Sequence, residues 1–390
     1  MTVSRGVVVV GASIGGLTAA ETLREEGYAG PIVLIGDENH LPYTRPPLSK
    51  QILLGEWEPH QAVIREVGEI DALGVEFRSS CTATGLDVGL RVLHTTTGDV
   101  AFDELVIATG TGPRRHPALP DALTLRTMGD AVRLRDRLAA AGRVAVVGAG
   151  ILASEVASAA RHHGADTLLV GRGASLSFGG VGTLLSAPLE DLHREHGVEL
   201  ALNTHVRGSR PLPRGSELEF SDGSVQRVNA VFAMIGGSPR TEWLEESSLD
   251  ISDGVVCDEA GCAAPGVSAI GDVAAWRDPG SGRHVRVEHQ SNAIEQAVAV
   301  ACRIAHGQQS AQPIPLFWSE IHKTRINAFG WFDRDARVVD LTPPDAVGTV
   351  WGFGGRVEGE VRGVVGWNAS PKAFRQARAV LARSALATTG

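Results

Sequence analysis

The chain has few cysteines, tyrosines and lysines: four, two and three respectively among 390 residues. No apolar run reaches the roughly 18 residues that a membrane-spanning helix needs. The scattered thiols, Cys81, Cys257, Cys262 and Cys302, exclude a disulfide-stapled scaffold and fit a reducing compartment. The N-terminus runs almost directly into GVVVVG, without the layout of a signal peptide. A cytoplasmic protein with no membrane association is therefore expected. Acids outnumber bases 45 to 36, for a net charge of -9, so attraction to nucleic acid should be weak and none is expected as a partner. Histidines and cysteines show no ligand-like grouping, so no metal site is expected either. Cys257 and Cys262 share a CxxxxC spacing. They sit in a Gly- and Ala-rich stretch before a strand rather than opening a helix beside a nucleotide loop, and read as structural thiols.

Glycine, by contrast, is abundant, with 47 residues, and the length suits two to three domains. Residues 6–38 read as strand, glycine turn, helix, strand. Such a unit buries a continuous apolar strand in a parallel sheet, and the helix N-terminal amides are left to bind a pyrophosphate. The fingerprint positions are Gly11, Ser13 and Gly16, flanking Ile14 and Gly15, with serine replacing the usual middle glycine. About twenty residues on, Asp37 and Glu38 end the second strand, where a carboxylate accepts from a ribose hydroxyl.

The same grammar returns at residues 143–170, with Gly148, Gly150, Ile151 and Ala153 forming a GxGxxA variant. Here the second strand ends in Gly171-Arg172. An arginine at this point pairs with the 2′-phosphate of NADP, whereas an acid would accept from the 2′-hydroxyl of NAD, so NADPH is preferred over NADH. The alternative is an Arg172 that points into solvent and a loose cofactor preference. Residues 198–234 read as short strands closing this second sheet. The strand before Gly271-Asp272 then places a carboxylate near a ribityl hydroxyl or a phosphate, or uses Asp272 as a helix cap.

Five segments carry a family resemblance: LPYTRPPLSK at 41–50, DELVIATG at 103–110, TEWLEESSLDISDGVVCDE at 241–259, APGVSAIGDVA at 264–274 and FWSE at 317–320. In these the chain resembles the FAD-dependent ferredoxin and rubredoxin reductases that serve P450 and ring-hydroxylating oxygenase systems. The resemblance implies an α/β fold of two Rossmann-like three-layer domains, one for FAD and one for NAD(P), plus a C-terminal α+β domain. The implied limits are 1–110 with 243–312 for FAD, 111–242 for NAD(P)H and 313–390 for the last domain.

It further implies that Arg45, Lys50, Thr109, Gly110, Arg126, Gly236, Gly271, Asp272, Glu288, His289, Gln290 and Trp318 line the cofactors. Lys50 lies beside the flavin and Glu155 near the nicotinamide, and these two are the candidate catalytic residues. The disulfide-reducing branch of this fold carries its redox cysteines near Lys50, where this chain has none. Arg240 stands where the family usually has asparagine, and Gln290 where an aromatic is common; both departures are expected on the nicotinamide side. The glycine-rich run at 177–182 departs as well.

The implied activity passes electrons from NADPH or NADH through FAD to a [2Fe-2S] ferredoxin or a rubredoxin, as a monomer or homodimer. Basic residues Arg362, Lys372, Arg375, Arg378 and Arg383 near the C-terminus, with no acid among them, suit an acidic partner. The competing expectations are an NAD(P)H oxidase or small-molecule flavoenzyme in a biosynthetic pathway, and a redox-sensing flavoprotein.

Overall fold

A computed structural model describes residues 6–279, 281–307, 314–333, 336–354 and 361–387, the side chains of 382–387 excepted. The fold is mixed α/β, and the chain divides into two compact units.

The first unit comprises Met1–Thr44, His60–Gly112 and Gly237–Pro313. Its central sheet contains parallel strands Val267–Ala269, Glu104–Ile107, Val7–Val10, Ile32–Ile35 and Val75–Arg78, in that spatial order, with antiparallel Cys262–Ala264 at one edge. Strands Val7–Val10 and Ile32–Ile35 are unbroken runs of valine, isoleucine and leucine, and Glu104–Ile107 is one after its first residue, because helices and a three-stranded meander both pack on the sheet. Helix Ile14–Glu25 contributes Leu17, Ala19, Ala20 and Leu23 to this core, and helix Gln290–His306 contributes Ala297, Val300 and Ala301. Alanine at these positions lets the two helices approach closely.

The second unit comprises Arg45–Pro59, Pro113–Gly236 and Ile314–Gly390. Strands Val198–Ala201, Asp166–Val170, Arg143–Val147 and Ala230–Ala233 form a parallel sheet in that order, with helix Ile151–His162 after the first strand of the βαβ unit. The expectation that residues 198–234 all close this sheet needs correction. Only their first and last strands join it. Val206–Leu212, Gly215–Phe220 and Val225–Val228 form a separate antiparallel sheet. Cross-strand charge matching explains the separation: Glu217 accepts from Arg210 and Arg227 on the two flanking strands, which suits a solvated face and not a sheet buried on both sides.

The C-terminal part of this unit is a five-stranded antiparallel sheet ordered Leu316–Ile321, Thr324–Gly330, Val361–Trp367, Thr349–Gly354 and Arg337–Asp340. Helix Pro371–Ala387 packs Ala373, Phe374, Ala377 and Leu381 against it.

Candidate functional site

In the first unit the predicted residues gather at the carboxyl ends of the central strands, where open α/β sheets bind ligands. Gly11 has φ +116, and a Cβ there would lie 2.2 Å from the Ala108 carbonyl oxygen. A Cβ on Gly16 would lie 1.9 Å from the Gly11 oxygen. Both glycines are thus demanded by a tight loop that brings backbone amides to the start of helix Ile14–Glu25. Ser13 is the N-cap, with φ -100 and ψ -166, an extended conformation open to any residue, which is why the fingerprint tolerates serine here. A pyrophosphate fits this cradle: it presents a helix N-terminus and no side chain on the loop glycines.

Around the cradle stand the expected partners. Glu38 accepts from the Tyr43 hydroxyl at 2.6 Å, and Thr109 and Gly110 follow the strand Glu104–Ile107. Gly271 opens a short 3-10 turn and donates its amide to Gln296 Oε1 at 2.8 Å, with Asp272 next to it. Glu288 pairs with Arg286, His289 caps helix Gln290–His306 by accepting from the Ser291 amide, and Gln290 Oε1 accepts from the Thr44 hydroxyl at 3.0 Å. Arg240 Nη1 donates to Asp37 Oδ2 at 2.7 Å, which ties it to the acid of the first βαβ unit.

The second unit carries the other cradle. Gly148 has φ +144, and a Cβ would lie 2.1 Å from the Met234 oxygen. Gly150, the N-cap of helix Ile151–His162, has φ -92 and open space where a Cβ would stand. The fold alone does not require glycine there. Arg172 is exposed just past strand Asp166–Val170, and Gly236, with φ +91, accepts the Arg114 amide.

The same unit buries an ion pair. Lys50 Nζ lies 2.7 Å from Glu155 Oε1, with side chains 8% and 6% exposed. Glu155 also accepts from the Ser49 and Ser319 hydroxyls, each at 2.5 Å. The turn Pro46–Ser49 presents Ser49 and Lys50, helix Ile151–His162 presents Glu155 and strand Leu316–Ile321 presents Ser319. Lys50 Nζ sits 5.0 Å from the centroid of the Trp318 ring, which is itself 37% exposed and so is not a plain core residue. Nearby in sequence, Arg45 Nη1 donates to the Arg126 carbonyl, and Asp130 accepts the Arg126 amide at 3.0 Å. Sequence reasoning named Lys50 and Glu155 separately but missed Ser49 and Ser319. The quoted motifs PPLSK and FWSE contained both.

Two other features escaped the sequence. His193, fully buried, and His322 share a hydrogen bond of 3.0 Å between Nδ1 and Nε2, and His196 stacks on His322 at 4.2 Å. Burial pushes His193 down to about 4, helped by His196, and pushes His322 down to about 3, helped by His193 and His196. The glycine-rich run 177–182 has a steric reason: a Cβ on Gly180 would stand 2.7 Å from the Phe317 ring.

All four cysteines are free, and burial pushes the Cys257 thiol up to about 12 and raises Cys262 and Cys302. A thiol so raised is a poor nucleophile. Of the C-terminal basic residues, Lys372 and Arg375 are exposed, Arg362 pairs with Asp333, and Arg378 lies over the Phe329 ring at 4.0 Å. Arg378 is therefore spent on packing, and the Arg383 side chain lies outside the described residues. Among the described residues no helix is long and apolar enough to cross a membrane, and no cluster of metal-ligating side chains is found.

Residues 5–297 match the family model described as pyridine nucleotide-disulphide oxidoreductase. The chain is 34% identical over 330 residues to the ferredoxin--NAD(+) reductase subunit of a benzene 1,2-dioxygenase system from Pseudomonas putida, covering 83% of this chain and 80% of that one. It is 31% identical over 346 residues to a rubredoxin-NAD(+) reductase of Ectopseudomonas oleovorans, covering 86% and 89%. Among solved structures it superposes on the covalent putidaredoxin reductase-putidaredoxin complex with a TM-score of 0.88 at 26% identity, covering 97% and 93%. A ferredoxin reductase from Rhodopseudomonas palustris gives 0.86 at 28% identity, covering 93% and 91%.

Proposed function

From the premise that this chain belongs to the pyridine nucleotide-disulphide oxidoreductase family, we propose that it is an FAD-dependent NAD(P)H:ferredoxin reductase. Its electron acceptor is a [2Fe-2S] ferredoxin or rubredoxin that serves a P450 or ring-hydroxylating oxygenase. The observation that carries this reading is a pair of glycine cradles, at Gly11 and at Gly148, each closed by a strand behind and a helix ahead. Two cradles call for two dinucleotides. Disulfide reduction is not supported, because Lys50 stands where that chemistry would need thiols, and burial raises the thiols of Cys257, Cys262 and Cys302.

Bound FAD would supply the chemistry the side chains lack, accepting a hydride from a nicotinamide and yielding electrons singly. The chain binds, orients and charges the site. The cradle at Gly11, with Asp37, Glu38 and Asp272, holds FAD within the limits 1–110 and 243–312. Gly148, Gly150 and Ile151 hold the nicotinamide dinucleotide within 111–242, and the C-terminal sheet and helix of the second unit make up the α+β part. Glu155, fixed by three donors, keeps the Lys50 ammonium at a set position, from which it stabilises negative charge developing beside it. Arg172, exposed at the strand end, favours NADPH over NADH. Lys372 and Arg375 offer positive charge to an acidic partner.

Anaerobic mixing of the purified protein with NADPH or NADH, followed by a [2Fe-2S] ferredoxin and cytochrome c, tests this reading. Rapid bleaching of the flavin band and ferredoxin-dependent cytochrome reduction are expected. Bleaching followed by oxygen consumption that no ferredoxin accelerates would overturn the electron-carrier part, and no bleaching would overturn the whole.

A further inference from the structure

Arg240, a partly buried arginine, is anchored through its backbone as well as its side chain. Its amide donates to the Gly110 carbonyl and its carbonyl accepts from the Thr109 hydroxyl, both at 3.0 Å, so its backbone is fixed at the exit of strand Glu104–Ile107. Its guanidinium reaches Asp37, just past the exit of strand Ile32–Ile35. Between those two strands in the sheet lies Val7–Val10, whose exit is Gly11. The side chain of Arg240 therefore spans the sheet end over the place where the glycine loop begins.

That span crosses the crevice in which the adenosine half of a dinucleotide must lie, with its pyrophosphate at the helix start and its ribose at the acid. Stability does not account for the contact. Arg240 and Asp37 are 36% and 42% exposed, and ion pairs of that exposure contribute between nothing and about 1 kcal/mol. The chemistry of the place does: the guanidinium takes Oδ2 of Asp37, which leaves Oδ1 to face a ribose hydroxyl, and a planar cation carries further N–H donors toward phosphate oxygens.

We propose that Arg240 is a positioning residue for FAD, a strap that holds Asp37 toward the adenosine ribose and closes over the adenylate half of the bound cofactor. This deepens the FAD reading of the first cradle and rests on it. The strap acts on how long the cofactor stays, because a group lying across the crevice must move before the ligand leaves.

The test is the release of FAD from the holoprotein on dilution, followed by the recovery of flavin fluorescence, for wild type, R240N and R240K. Losing a charge-assisted contact predicts release about tenfold faster in R240N. R240K, which keeps the cation, should fall between R240N and wild type. Thermal unfolding midpoints of the FAD-stripped proteins should coincide, since an exposed pair contributes little to the fold. An unchanged release rate in R240N would reduce the contact to a surface ion pair and overturn the strap. A slower rate would overturn it too, showing that Arg240 competes with the ribose for Asp37. A wild-type protein that takes up no FAD would bring down the FAD reading itself, a result distinct from either.

Discussion

Lys50 Nζ and Glu155 Oε1 stand 2.7 Å apart, both nearly out of contact with solvent, although 105 residues separate them in the chain. Ser49 and Ser319 complete the shell around the carboxylate. A buried pair of this kind is costly to break from one side, because the surviving charge has nowhere to go. Glu155→Ala should therefore lower the unfolding free energy by about 3 to 5 kcal/mol. Ser319→Ala, which leaves the ion pair intact, should cost about 1 to 2 kcal/mol. Urea titrations of the two variants at neutral pH check the order. Equal losses would mean that the serine, and not the charge pairing, governs this centre.

The histidine cluster predicts a pH dependence. His193 and His322 are held below the ordinary histidine value of 6.5, at about 4 and about 3, chiefly by burial. The unfolded chain consequently binds more protons than the native one between pH 6.5 and about 4. Stability should then be fully present above pH 6.5 and fall as the solution is acidified, by up to about 1.4 kcal/mol per pH unit for each histidine. His322 occupies a two-residue turn with Lys323, at φ +49 and +62, and its amide donates to Ser158 Oγ. His196 and Arg161 are the other charged or titratable groups that act on it. His322→Asn, with a residue that accepts a left-handed backbone, should give a shallower decline between pH 7 and 5 in chemical denaturation. An identical slope would remove His322 from the account.

The two loop glycines of the second cradle should behave oppositely. A Cβ at Gly148 strikes the Met234 carbonyl at 2.1 Å and the φ of +144 is hostile to any side chain, so Gly148→Ala should distort the loop and cost about 1 to 3 kcal/mol. At Gly150 a Cβ meets nothing within 4 Å, so Gly150→Ala should unfold at the wild-type denaturant concentration. Any rise in the KM for the nicotinamide nucleotide in Gly150→Ala then reports the approach of a ligand to that position. A wild-type KM together with wild-type stability would place the pyrophosphate elsewhere.

What the sequence disclosed was local. A strand, a glycine loop and a helix lie within some thirty consecutive residues, so the cradles at Gly11 and Gly148 and the acids at 37 and 38 could be read directly. What it hid depends on contacts between distant segments. Asp37 meets Arg240 across 203 residues and His193 meets His322 across 129, and no periodicity announces either pairing. The same limit misplaced residues 206–228, whose short strands looked like part of the parallel sheet until the charge matching around Glu217 showed a solvated one. Arg378 belongs to the basic C-terminal group that suits an acidic partner, yet the aromatic ring beneath it, Phe329, comes from the distant strand Thr324–Gly330.

In the proposed reductase the preference for NADPH over NADH rests on Arg172. It follows the buried strand Asp166–Val170 and is exposed, at the position where an acid would accept from the 2′-hydroxyl of NAD. A guanidinium there makes charge-assisted hydrogen bonds with a 2′-phosphate, each of about 1.5 to 3 kcal/mol, and has little to offer a hydroxyl. Arg172→Ala should therefore lower kcat/KM for NADPH about tenfold or more and leave that for NADH within about twofold. Because the 2′-phosphate is remote from the hydride, the loss should appear in KM with kcat nearly constant. Raising the ionic strength should weaken NADPH use by the wild type and have little effect on the variant, since the lost contact is between exposed charges. Steady-state cytochrome c reduction with each nucleotide, at low and high salt, distinguishes these outcomes. Equal losses for the two nucleotides would mean that Arg172 supports the loop and does not read the phosphate.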